Sequence, residues 1–173
     1  KMALFVSFPL MAANLPLAPA VSSLYVKNEK ERLQRITVKT ARISVLGASV
    51  VYVVFLIFGH SILKVFGVSF VEGYTPLLIL GLGEFVNAAM GSVGLILVMT
   101  GNEVYAAKGH GIAALASLVL NLALTYYLGL KGAAIATAIT VVLWNVLLAL
   151  WVHRKLGLHP MAFARASKGG SDA

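Results

Sequence analysis

The sequence has no cysteine at all, so a disulfide framework and a thiolate metal site are both excluded. Charge is almost as scarce. Only 12% of the 173 residues are charged and just 6 are acidic, against 14 Lys and Arg, while 60% are apolar. Globular domains average about 45–50% apolar and about 25% charged, so a water-soluble domain is a poor fit, and a disordered chain is a worse one. The mean hydropathy of +0.91 points the same way.

The few charges are unevenly spaced, and the gaps between them set the architecture. No Lys, Arg, Asp or Glu falls between Lys1 and Lys27, from Ile43 to Leu63, from Gly109 to Leu130, or from Gly132 to His153, and Glu84 alone interrupts Gly73–Asn102. A helix needs about 20 residues to cross a hydrocarbon layer of roughly 30 Å. The expected fold is therefore all-α, a polytopic bundle of about five transmembrane spans at 2–24, 43–59, 74–100, 106–128 and 133–152. Together they make one domain over 1–158, followed by a cytoplasmic tail at 159–173. The first span imitates a secretory signal, with Ala18-Pro19-Ala20 standing as a small-residue cleavage site. The basic block that follows resists export, so a retained span is the reading adopted.

A net charge of +8 can mark a nucleic-acid binder, but here the cations flank apolar spans, and no nucleic acid is expected. If the segment 27–42 is cytoplasmic, then Lys27, Lys30, Arg32, Arg35, Lys39, Arg42, Lys108, Arg154, Lys155, Arg165 and Lys168 lie inside, and Lys1, Lys64 and Lys131 outside. That bias orients the chain with its N-terminus outside and its C-terminus in the cytoplasm. The odd span count and the initial Lys1 lead to the expectation that the chain is the C-terminal piece of something longer.

Polar residues at membrane depth are the functional candidates. Glu84 lies near the middle of the third span, where a charge costs roughly 2.5–3.5 kcal/mol to insert. Asn87 at i+3 and Gly91 at i+7 place Glu84, Asn87 and Gly91 on one polar, small stripe facing a cavity or the bundle interior. Glu84 either binds a coupling proton, a cation or a polar part of a substrate, or it is a neutral carboxyl bonded to a neighbouring helix. Asn14, Asn121 and Asn145 are weaker candidates, since an amide also serves as interhelical glue. Gly132 and Ala136 stand at small-xxx-small spacing for helix packing, and Gly109, Ala113, Ala116 and Ser117 repeat the pattern on the fourth span. Pro9, Pro16 and Pro19 should bend or break the first span. The apolar-rich connection His60–Gly73 reads as a re-entrant or surface segment.

Enzyme chemistry finds no support. His60, His110, His153 and His159 have no partner at helical spacing, so no helix-borne metal pair is expected, and neither a phosphate-binding loop nor a nucleotide fingerprint occurs. No cofactor is expected.

The order of elements also carries a resemblance. Val65-Phe66-Gly67-Val68-Ser69-Phe70 leads into Pro76-Leu77-Leu78-Ile79-Leu80, and a turn follows at Gly101-Asn102. Then come Leu120-Asn121-Leu122 and, after a hairpin, Gly129-Leu130-Lys131-Gly132-Ala133-Ala134-Ile135-Ala136-Thr137. Together with Pro19-Ala20-Val21 before Leu24-Tyr25 and a basic linker, this resembles the C-terminal half of the polysaccharide flippases of the multidrug/oligosaccharidyl-lipid/polysaccharide exporter superfamily, over about residues 5–155. The resemblance implies a MATE-like plan of about twelve helices in two lobes that flips lipid-linked oligosaccharide across the inner (plasma) membrane by alternating access, for cell-surface polysaccharide biosynthesis. It supplies only part of one lobe here, so the missing N-terminal lobe becomes an expected partner beside the lipid bilayer and the lipid-linked substrate. The sequence departs from the family where Tyr126-Tyr127-Leu128 replaces the proline often found before the hairpin glycine. A cation-coupled multidrug antiporter of the same superfamily and a non-transport membrane scaffold are the alternatives.

Overall fold

The computed structural model describes residues 2–163, and among these every regular element is helical. A 3-10 turn, Met2–Val6, precedes α1 (Phe8–Val26) and α2 (Lys30–Phe66). A second 3-10 turn, Val68–Gly73, leads to α3 (Tyr74–Met90), α4 (Val93–Met99) and α5 (Glu103–Leu156). Helices α2 and α5 are long and apolar enough to cross a membrane. The segments Val68–Met90 and Val93–Met99, bent by 44° at their junction, add a third crossing if they act as one span. Of the five expected spans, two to three are thus matched by helices that qualify on length and composition. Helix α1, diluted by Asn14 and its prolines, is not among them.

The helices differ from the sequence expectation in ways with plain physical causes. The basic block is not a linker. Residues 30–42 form the first three turns of the 37-residue α2, because Lys, Arg, Gln and Glu are good helix formers and solvent accepts their charges. The same helix runs on through His60 to Phe66, so a re-entrant segment over His60–Gly73 is replaced by helix and a short 3-10 turn. Helix α1 continues past Pro16 and Pro19, which leave the carbonyls of Ala12 and Leu15 without their usual donors, while Pro9 occupies the first turn, where no donor is needed.

Helix α5 covers both the fourth and the fifth expected spans. Its chain leaves helical geometry at Gly129, where φ is 56° and ψ −134°. Beyond that point it runs back along itself. The rings of Tyr105 and Trp151 lie 5.8 Å apart, those of His110 and Trp144 4.8 Å apart, and Gly132 abuts the Leu124 carbonyl. Arms 103–128 and 130–156 therefore lie antiparallel. Elsewhere too the helices approach closely at small residues: a Cβ on Gly83 would stand 3.1 Å from Ala138 Cα, and one on Gly47 2.8 Å from Pro9. Close packing of this kind holds helices together in lipid, where apolar burial gives no driving force between them. Ala136 is fully buried, and Gly109 and Ala113 are also buried.

Two apolar clusters fill the bundle. One joins Leu17, Leu33, Ile96, Leu97, Leu148 and Val152, and the other joins Val6, Leu10, Ala48, Phe55, Leu63 and Leu77. Near the first, Lys108 and Lys155 both approach the Tyr105 ring, at 5.8 and 4.7 Å, and Lys155 shares a recess with Lys30. Lys64 and Lys131 belong to the opposite end, on the last turn of α2 and beside the Gly129 reversal. Lys1, Arg165 and Lys168 lie outside the described residues.

The first residues of the expected tail are docked against the bundle. Gln34 Nε2 donates to the His159 carbonyl at 2.6 Å, and the His159 N–H donates to Gln34 Oε1 at 2.8 Å. The Ala162 N–H donates to the Ala89 carbonyl, and Arg42 Nε donates to that of Ala162, both at 3.0 Å. Segment 157–163 thus straps α2 to the end of α3; the tail beyond it lies outside the described residues.

Gly132→Ala would drive a methyl into the Leu124 carbonyl, whereas a Cβ on Gly111 meets nothing within 4 Å. In detergent unfolding, Gly132→Ala should cost about 2–3 kcal/mol, while Gly111→Ala should be neutral or gain up to about 1 kcal/mol. Equal effects would contradict the hairpin.

Candidate functional site

Asn145, on the second arm of α5, is 1% exposed in an apolar setting, so its amide must be satisfied within the protein. Its Nδ2 donates to Asn87 Oδ1 at 3.0 Å and to the Val141 carbonyl at 2.9 Å. Asn87, on α3, passes the chain on: its Nδ2 donates to Glu84 Oε2 at 3.1 Å. The relay Asn145 to Asn87 to Glu84 ties two helices together, with one amide donor of each asparagine directed toward the Glu84 carboxyl. Glu84 and Asn87 are both half-buried.

Gly91 does not continue the Glu84–Asn87 stripe along a helix, which corrects the sequence expectation. Helix α3 ends at Met90, and Gly91 takes φ 75° and ψ −164° as the chain breaks before α4. A side chain is excluded twice over, by that backbone conformation and by space: a Cβ would stand 2.7 Å from the Pro160 carbonyl oxygen and 3.1 Å from Ala41 Cβ. At the same break Ser92 Oγ donates to Asn14 Oδ1 on α1 at 2.5 Å.

These groups meet around one cavity of about 180 Å³. Its lining includes Asn14, Asn87, Gly91, Ser92, His110, Trp144 and Asn145. Four residues singled out from the sequence are brought together there, and Glu84 is linked to it through Asn87. Asn121 is not among its lining residues; its amide donates to Ser117 within its own helix, at 2.9 Å to the carbonyl and 3.1 Å to the hydroxyl. Gly132 and Ala136 are not among its lining residues either; Gly132 packs on the Leu124 carbonyl across the hairpin.

Sequence reasoning missed Ser92, His110 and Trp144. His110 was weighed only as a metal ligand. Its Nδ1 lies 2.7 Å from the Ala106 carbonyl, which can only accept, so Nδ1 carries the proton of that bond and Nε2 is left for other partners. Among the described residues no group of three or more His, Asp or Glu stands together as a metal site. The cavity lining holds no Lys or Arg. It offers amide donors and acceptors, the hydroxyls of Ser7 and Ser92, an imidazole and an indole, beside Leu10, Met11, Val93, Leu95 and Leu148, around room for a few waters. Such a lining suits an uncharged, hydroxyl-rich or hydrated ligand.

Comparison with known protein families, with characterised proteins and with solved structures returns no match. The likeness to polysaccharide flippases therefore rests on the quoted residues alone.

Removing the relay's anchor should be costly, because the half-buried Asn87 Oδ1 loses its donor. Asn145→Ala is expected to lower unfolding stability by about 1–3 kcal/mol. Asn121→Ala, which loses only local bonds, should stay within about 0.5 kcal/mol. Thermal unfolding of the two variants side by side checks the ranking.

Proposed function

We propose that the chain is a segment of a membrane transporter that flips lipid-linked oligosaccharide for cell-surface polysaccharide biosynthesis by alternating access. The observation that carries this reading is the cavity at the α3–α4 break, where three asparagines, two serines, a histidine and a tryptophan converge inside an otherwise apolar bundle. Broken helices lining a cavity are a recurrent device of transporters. Amides and an indole match the hydroxyls and C–H faces of a sugar. The cavity beside Asn87 also counts against a bundle that merely anchors other proteins.

On this reading the chain makes five crossings of the inner membrane. They are α1, the apolar part of α2, α3 with α4, and the two arms of α5, with the N-terminus outside and the cationic end in the cytoplasm. A single lobe cannot alternate, so a further N-terminal lobe, in the same chain or a partner, completes the pathway. The cation-coupled antiporter is the second reading. The Glu84 carboxylate at the end of the relay and the lack of a cation in the cavity lining favour it.

Glu84→Gln separates these readings from a structural carboxyl. In proteoliposomes holding the protein with its completing lobe, fluorescent lipid-linked oligosaccharide should flip at least about tenfold more slowly in the variant, the loss expected when a functional intramembrane carboxylate is removed. Wild-type rates with unchanged pH dependence would remove Glu84 from the mechanism. A gradient-driven efflux of cationic dye, lost in the variant, would instead select the antiporter.

A further inference from the structure

The exposed edge of α2 changes character abruptly along one continuous helix. Arg32, Arg35, Lys39 and Arg42 recur at helical spacing on its solvent-facing side, and all are exposed. The same edge then carries Ile43, Leu46, Val50, Val53 and Ile57, between 48% and 69% exposed. The opposite edge, with Leu33, Thr37, Val38, Ala41, Ser44 and Ala48, is buried in the bundle along both halves. One outward stripe is therefore cationic for its first part and hydrocarbon for its second, and the change falls between Arg42 and Ile43.

The acids of this region do not cancel Lys39 at the switch. Glu29 pairs with Arg32 at 3.3 Å and Glu31 with Arg35 at 3.5 Å, both near the start of the helix. Lys39, farther along, has no carboxylate within ion-pair distance among the described residues. Arg42 is held in place through Nε by the Ala162 carbonyl of the strap. With a rise of about 1.5 Å per residue, Lys39 and Arg42 lie within roughly 6 Å of Ile43 along the axis. That is the depth of a headgroup layer beside its hydrocarbon.

We infer that this edge of α2 is a binding site for an anionic phospholipid of the surrounding bilayer. The phosphate engages Lys39, and an acyl chain lies along Ile43, Leu46 and Val50. A nucleic acid or an acidic peptide would meet the cationic half and leave the apolar half uncovered; a lipid with an anionic head covers both. The inference holds whether or not the chain transports anything.

The test uses the purified protein in micelles with equal amounts of synthetic phosphatidylglycerol and phosphatidylcholine, counting retained lipids by native mass spectrometry. Phosphatidylglycerol should be retained in preference by about fivefold, the gain expected of one cation near an anionic headgroup. Lys39→Gln should bring the ratio to near parity, Lys39→Arg should restore it, and Lys64→Gln at the far end of α2 should leave it unchanged. Lys39 is exposed and holds no partner among the described residues, so its variants keep the bundle intact. The inference is overturned if Lys39→Gln keeps the preference, if Lys64→Gln abolishes it equally, or if millimolar inorganic phosphate displaces the lipid.

Discussion

A break in a helix inside an apolar bundle must be satisfied by the protein itself, and most of what is unusual in this chain surrounds the break at Gly91 and Ser92. With no water to take up freed backbone groups in hydrocarbon, irregular chain survives only where it is buried in protein or lines a cavity. Here both conditions are met. Gly91 supplies a conformation and a close approach that no other residue allows, and the strap 157–163 closes over it from one side. Ser92 bonds to Asn14, and the relay from Asn145 through Asn87 reaches Glu84 just before the break. The candidate site exists because the helix stops there.

The rest of the bundle gives that break a rigid frame. Glycine and alanine contacts set the helices close together: Gly83 on Ala138, Gly47 on Pro9, Gly109 on Leu148 and Trp151. The outward surface is rich in exposed Leu, Val, Ile and Phe, among them Leu15 at 78% and Leu122 at 69%. Such a surface is a liability in water and ordinary in lipid. Helix α2 joins the two environments, because its inner edge is buried in the bundle along both halves while its outer edge passes from cationic to hydrocarbon.

Much of the fold was legible in the charge-free runs, since lipid-length apolar segments become helices almost regardless of other detail. What escaped were boundaries and partners. Residues 30–42 look like a linker in the sequence because charges punctuate apolar runs, yet a helix with one buried edge has no difficulty carrying cations on the other. Gly91 read as one more small residue of a stripe, because seven-residue spacing cannot reveal a positive φ. Asn87 and Asn145 were both singled out, but their pairing spans 58 positions and depends on how α3 meets the second arm of α5. His110 and Trp144 gain their meaning only from that packing, which no local pattern encodes.

Because the chain has no cysteine, single thiols can report on the cavity without background. A thiol reacts as the thiolate, which forms only where water reaches it. Ser92→Cys, at the break, should react in native membranes with a small water-soluble maleimide, while Leu118→Cys, 60% exposed on the apolar outer face of α5, should stay unlabelled. If Ser92→Cys is as inert as Leu118→Cys, the break does not line a hydrated cavity and the account of the site fails.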